Sequence, residues 1–508
     1  MEVIIVLKRI VAYIISAIMS LGGLVDEKFN ELETTEQYEK LWSAVTTGNE
    51  QAMIEAINEG ADINKFEYHN PGTVSPVIWA DDNSNDKRFV NTMLEYDIDP
   101  DFVDTSGTTV FYEAINARDK IFEKLLTLDP DVNYIDDMGE NSIDKIILSK
   151  NLDIFSDRLE KLINAGADVT ADNIKNMEGR INRSEYIESM GNRIACVKAM
   201  KVLVDNYKGE DIDKDIYAAY KGEFNENNKC KNNTVLWGIA GYGSKDALEK
   251  NLKDDSDLNF SLRLSVAANN FENVKFLIEK GADINEFNDG YYECALNYAV
   301  YYNNYDMTKY ISDLNPAYID DGVLIAVKND NADITKLLLD KGASISNKDA
   351  FEEALINNYD DIVKLFVERG FNVNGSSSLG SEPYYVWVFS YCDIDTVKYV
   401  HNFSNTLNYD DLCEAVYNSV RQGNLELLEY LKELNADFSK DDANSSNGSR
   451  LDSQLMVATG DGYFDVVRFL VENGCTANNY TEEEKEALVN RAKQSDDIYN
   501  YLVEKGII

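Results

Sequence analysis

Aromatic side chains are the residues of this sequence best suited to do chemistry: it carries 31 Tyr and 4 Trp. They gather at Tyr291, Tyr292, Tyr298, Tyr301, Tyr302, Tyr305 and Tyr310, and again at Tyr384, Tyr385, Trp387 and Tyr391. Rings with a polar edge offer large contact area at low conformational cost, and they lead the side chains found at binding hot spots. The chemistry they point to is non-covalent recognition. Trp79, Trp237, Tyr298, Tyr301, Tyr302, Tyr385 and Trp387 are the candidate protein-binding residues. The competing reading is that these aromatics replace Leu, Phe or His in a divergent core.

Catalytic groups are sparse. His69 and His401 are the two histidines, so any triad, imidazole base or histidine-held zinc has to use one of them. Neither lies in a motif. No phosphate-binding glycine loop, zinc-protease helix or nucleophile elbow occurs. The Asp-rich stretches 97–104 and 211–215 lack the central Gly and terminal Glu of a calcium loop. The six cysteines are far apart with no C-x-x-C pair, which argues against a disulfide framework and a zinc ribbon. No catalytic, cofactor-binding or metal-ligating residue is assigned, and the chain is read as a non-enzyme.

Charge narrows the partners. Against 48 Lys and Arg stand 91 Asp and Glu, a formal net charge of -43. That field repels phosphate backbones, so nucleic acid is not an expected partner, and it favours basic proteins.

The elements that must position the aromatics show themselves as an internal repeat. Residues 41–64 read LWSAVTTGNEQAMIEAINEGADIN, and 262–285 read LRLSVAANNFENVKFLIEKGADIN. Residues 323–346, 351–374 and 455–478 follow the same plan, 154–170 hold a shorter copy, and the chain ends on LVEKGII. Each copy predicts a short helix with a small residue on its inner face, at Ala44, Ala267, Ala326 and Ala354. A turn rich in Gly, Asn and Asp leads into a second helix with apolar residues at helical spacing, such as Val274, Leu277 and Ile278. Gly60, Gly166, Gly281, Gly342, Gly370 and Gly474 fall just past that helix, where a left-handed residue closes its C-terminus. One helical pair cannot bury both faces, so stacked neighbours must do it.

This pattern resembles the ankyrin-repeat family, whose second helix and G-A-D-x-N ending it matches closely. The family's first half, T-P-L-H-x-A, survives in shape at 75–80, 109–114, 234–240 and 294–300, with its His replaced each time. In the family that His ties neighbouring loops by hydrogen bonds, so its loss implies looser loops here. The resemblance implies an all-α ankyrin-repeat solenoid of roughly a dozen helix-turn-helix units, of divergent, bacterial type. It also implies a protein–protein interaction scaffold that binds a protein partner on its concave face and turn tips. Two other readings stay open: an acidic, immunity-type protein that neutralises a basic protein, and an enzyme that uses the array as a scaffold.

Three segments are expected: a hydrophobic signal peptide or membrane anchor at 1–25, an acidic spacer at 26–40, and the repeat array at 41–508, irregular across 172–232. Lys8 and Arg9 precede an uncharged run, Ile10 to Val25. The run is shorter than the ~20 residues of a spanning helix and slightly longer than a usual signal core. Export or membrane anchoring through this segment is the expected localisation, with a cytoplasmic protein as the alternative. A monomer is expected, with membrane contact through residues 1–25 alone.

Overall fold

The computed structural model describes residues 36–47, 49–64, 77–78, 80, 90, 92–103, 107–149, 155–182, 190–253, 258–286, 294–376, 383–439 and 453–508. The signal or anchor expected at 1–25, most of the spacer at 26–40, and Trp79 lie outside the described residues. Among the described residues no helix is long and apolar enough to cross a membrane.

The described residues are helices and the turns that join them, without strands. The chain divides into two compact units, Met1–Lys280 and Gly281–Ile508. Unit 1 contains α1 (Glu36–Thr47), α2 (Glu50–Asn58), α3 (Val110–Ala114), α4 (Asp119–Leu126), α5 (Ser142–Leu148), α6 (Phe155–Asn164) and α7 (Ala171–Asn182). It continues with α8 (Met190–Asn206), α9 (Lys214–Lys221), α10 (Asn233–Tyr242), α11 (Lys245–Asn251), α12 (Leu258–Ala267) and α13 (Phe271–Glu279). Unit 2 contains α14 (Ala295–Tyr301), α15 (Tyr305–Ser312), α16 (Ile319–Lys328), α17 (Ala332–Asp340), α18 (Lys348–Ile356), α19 (Asp360–Glu368) and α20 (Tyr384–Tyr391). It ends with α21 (Ile394–His401), α22 (Tyr409–Arg421), α23 (Leu425–Glu433), α24 (Gln454–Gly460), α25 (Phe464–Glu472), α26 (Glu482–Ala492) and α27 (Asp496–Glu504).

In unit 2 the first helices of successive repeats, α14, α16, α18, α20, α22, α24 and α26, pack side by side as one layer. The second helices form the other: α15, α17, α19 and α21 follow one another, as do α23, α25 and α27. The core lies between the layers, where Ala299, Ala326 and Ala354 are fully buried and let the backbones approach.

The turns follow the predicted chemistry. Gly60, Gly166, Gly281, Gly342, Gly370 and Gly474 have φ between 91° and 107°. Each follows a second helix and closes it: the amide of Ala61, for example, returns to the carbonyl of Ala56 at 3.0 Å. The inner turns use a second left-handed residue, Asn269, Asn303, Asp330 or Asn358, just before the next helix begins. Asn270, Asn304, Asn331 and Asn424 then cap second helices by accepting a backbone N–H.

Residues 172–232, set apart in the sequence as irregular, hold most of α7 and all of α8 and α9. At 17 residues α8 is longer than the repeat helices around it. It packs against α6, α7, α9, α10 and α12. Ile194, Cys196, Val197, Met200, Leu203 and Val204 are accordingly fully buried, and a helix enclosed by neighbours needs no single apolar stripe.

Among the described residues the loops are tied rather than loose, by residues other than the missing His. In four tails the last Asn reaches the next tail. Asn64 donates to the Asp97 carbonyl at 2.8 Å and accepts from the Asp99 amide at 2.8 Å. Asn133 does the same with Gly166 (3.0 Å) and Asp168 (2.8 Å). Asn285 and Asn374 accept from the amides of Ala317 and Asn405 at 2.8 and 2.7 Å. Tyr112, standing where the family has its His, donates from its phenol to Asp136 in the next loop at 3.1 Å.

Candidate functional site

The candidate residues do not share one environment. Trp237 belongs to unit 1 and the rest of those described to unit 2. Trp237 lies on α10 with 9% of its surface exposed, tilted against Phe260 of α12 at 4.7 Å between ring centroids. Its ring is packing surface between two neighbouring helices.

On α14, Tyr298 is 7% exposed and stacks with Tyr302 at 6.4 Å and 16°. Tyr302, half-buried, meets the edge of Tyr301 at 5.1 Å and 84°. Tyr301 is 45% exposed, and Tyr305 at the start of α15 is also exposed. The three rings therefore step outward from a buried base. Asn329, at the end of the neighbouring α16, donates to the carbonyls of Val300 and Tyr301 at 3.2 and 3.1 Å. Those bonds satisfy the end of α14 and tie down the backbone that carries the exposed ring.

A second ladder stands on α20. Its N-cap is Pro383, which lacks the N–H a helix start leaves unused. Tyr384 and Tyr385 are buried, and each phenol donates to a carboxylate of an adjoining repeat: Tyr384 to Glu352 at 2.6 Å, Tyr385 to Asp411 at 2.9 Å. Burial first, and the acceptor carboxylate second, push the Tyr385 phenol up to about 12, and the same causes raise Tyr384. Both stay protonated as donors at neutral pH. Trp387, half-buried, meets Tyr384 edge-on at 6.3 Å and Tyr391 at 5.8 Å, and Tyr391 is exposed.

The structure thus places Trp237, Tyr298 and Tyr385 inside the packing, and Tyr301, Tyr302 and Trp387 at or near the surface. The two surface groups sit on α14 and α20, both in the first-helix layer of unit 2. Two helices, α16 and α18, intervene, and α18 carries Glu352, buried, and Glu353, half-buried. Tyr391, a member of the second aromatic cluster but not one of the candidate binding residues, joins the site, and so does Asn329, which the sequence does not single out. Tyr391 could have been found from its helical spacing to Trp387, whereas Asn329 acts through a carbonyl that only the fold brings near.

Comparison with known proteins places the repeats. A family model described as ankyrin repeats in many copies matches residues 263–311, and one described as ankyrin repeats in three copies matches residues 296–377. Alpha-latrotoxin-Lh1a of Latrodectus hasselti is 29% identical over 139 residues, which span 27% of this chain and 9% of the toxin. Among solved structures, the human ASB11 ankyrin repeat domain aligns at TM-score 0.32 and 18% identity, over 45% of this chain and 96% of that one. The ankyrin repeat domain of Bcl-3 aligns at TM-score 0.33 and 16% identity, over 42% of this chain and 100% of that one. Residues 263–377 of the chain are thus ankyrin repeats.

Proposed function

We propose that this chain recognises a basic polypeptide partner on the first-helix face of unit 2, with the loop tips as secondary contacts. Ankyrin repeats are protein–protein interaction modules. The observation that carries the finer reading is the outward-stepping cluster Tyr298–Tyr302–Tyr301, exposed at Tyr301 and pinned through Asn329. Rings pre-positioned in this way lose little freedom on binding. Trp387 and Tyr391 extend the same face, and the net charge of -43 supplies the attraction for cationic side chains. In this reading the protein is a monomeric scaffold that binds no nucleic acid and catalyses nothing. It reaches the membrane or the cell exterior through residues 1–25, supported by Lys8, Arg9 and the uncharged run behind them.

Affinity capture from native extract with residues 36–508 tests it, run beside a Tyr301→Ala/Tyr302→Ala/Trp387→Ala variant of unchanged helical circular dichroism. Loss of the captured proteins from the variant supports the face. Equal capture by both moves recognition away from it. Specificity is read from the same proteins in salt. An immunity-type neutraliser held by charge alone releases its partner as salt rises, whereas an aromatic interface resists.

A further inference from the structure

The two ring nitrogens of His401 have different partners, and those partners decide which one carries the proton. His401 is the last residue of α21, where its ring packs against Phe389 of α20 (5.1 Å between centroids) and Tyr430 of α23 (5.8 Å). Its Nε2 lies 3.0 Å from the backbone carbonyl oxygen of Tyr385, and its Nδ1 lies 3.2 Å from the phenol oxygen of Tyr430. A carbonyl can only accept, so Nε2 bears the hydrogen and donates. In the neutral ring Nδ1 is then the acceptor, and the Tyr430 O–H donates to it. One neutral tautomer therefore stitches together α20, α21 and α23, which belong to two successive repeats.

We propose that His401 is a proton-sensitive latch: acidification loosens α20 from α21 and α23, and with it the face that carries Trp387 and Tyr391. The latch stands on the geometry of His401 alone, while its effect on binding rests on the recognition reading above.

Adding a proton at Nδ1 places a hydrogen where the Tyr430 O–H already points, so the phenol must turn round and accept. The new cation sits half-buried between two aromatic rings, with only part of its surface open to water. The charged groups on the surrounding elements offer it no counter-ion. On α21 the Lys398 ammonium already lies 5.2 Å from the centre of the Tyr430 ring, with the same sign. Asp411 of α22 is engaged by the Tyr385 phenol at 2.9 Å, and Glu368 of α19 by the Tyr399 phenol at 3.0 Å. Glu433 of α23 acts on Tyr430, whose phenol is raised first by burial and then by that carboxylate. Burial holds His401 below its ordinary value, opposed in part by the bond to Tyr385. The folded value is thus the depressed one. The latch is fully closed above the unfolded value of about 6.5, and its contribution is lost as pH falls from there toward the folded value. Most of the chain responds in the opposite direction, because protonating carboxylates relieves its net charge of -43.

Hydrogen exchange of the full chain between pH 7 and 5, corrected for the intrinsic rate, reads the latch without any partner. Peptides covering 384–401 and 425–433 should exchange at least severalfold faster at pH 5 relative to peptides covering 319–340, and His401→Gln should abolish that relative change. Imidazole nuclear magnetic resonance, with His401→Gln assigning the signal against His69, should show His401 titrating below the ordinary value with the proton on Nε2. Titration at or above the ordinary value, or an unchanged exchange ratio in the wild type, overturns the latch. If His401→Gln does not fold, the wild-type titration still decides. A failed capture experiment at neutral pH would sink the recognition reading and leave the latch standing.

Discussion

The tail asparagines show how much one side chain carries in a stack that touches only its neighbours. Asn133 joins two repeats with two hydrogen bonds, one given to Gly166 and one taken from Asp168. Asn133→Ala removes both and leaves a carbonyl and an amide to find water. The expected loss is about 1–3 kcal/mol, read as a lower denaturant midpoint at unchanged slope. Asn133→Asp keeps the acceptor and loses the donor, so it should fall between the two. Asp360, the first residue of α19, poses a different residue-scale question, because its carboxyl faces Asp393, the N-cap of α21. Burial first raises Asp360, and the neighbouring Asp393 adds to it, while Asp393 is lowered despite its own burial by the bonds it accepts from Thr396. A raised folded value means that the ionised Asp360 opposes folding, and that this opposition disappears as pH falls through it. Asp360→Asn mimics the protonated acid. It should be more stable than wild type at pH 7 and should converge with it below pH ~4, the ordinary carboxylate value. A variant less stable than wild type at neutral pH would show that the helix N-terminus gains more from the charge than the pair loses.

At the scale of the element, the parts legible in the sequence are those set by local backbone chemistry. Gly342 follows α17 at φ 100°, and an added Cβ there would touch nothing, so the cost of Gly342→Ala is conformational alone. That cost should be about 1–2 kcal/mol, measured by chemical denaturation, with Gly342→Asn recovering part of it. The second helices and their capping turns follow the same local rules, which is why the sequence locates them. The first helices do not. Tyr298, Tyr385 and Trp237 read as surface positions by alignment, yet they are buried. Once the family's small and His positions are replaced by large rings, neighbouring helices decide which ring turns inward. The polar bridges between repeats were equally hidden. Arg158 on α6 is buried and spans to α3 and the turn after it, donating to the carbonyls of Ile115 and Ala117 and to the Asp119 carboxylate. Arg180 on α7 reaches the carbonyls of Ile147 and Ser149, and Gln422 reaches Phe389 at 2.6 Å. Each closes the end of a first helix in the preceding repeat, the job Asn329 does for α14. No motif marks them, because an Arg, an Asn and a Gln from different positions perform the same task. Arg158→Met keeps the buried volume but strands two helix-end carbonyls, so it should destabilise by about 2–5 kcal/mol. An equally stable variant would mean that water or a backbone shift replaces the guanidinium.

Taken as a whole, the molecule carries two effects of charge that salt separates. A net charge of -43 over 508 residues makes the folded chain repel itself, since folding brings its carboxylates closer than they lie in the open chain. Ion pairs offset little of this. Those on the surface, such as Lys336–Asp340 at 2.9 Å and Arg468–Asp465 at 2.8 Å, are exposed and worth at most about 1 kcal/mol each. Raising ionic strength from about 0.1 to 1 M shrinks the screening length from about 10 to 3 Å. The self-repulsion should then fade and the melting temperature should rise. Over the same range the attraction for a basic partner should fade too, so its association rate should drop while its dissociation, governed by the aromatic contacts, changes little. Opposite trends for stability and association in one salt series would show that the acidity serves recognition at a cost to the fold. A melting temperature that falls with salt would mean that the ion pairs outweigh the repulsion. An association rate indifferent to salt would mean that the charge only keeps the protein soluble and that Tyr301, Tyr302 and Trp387 select their partner without it.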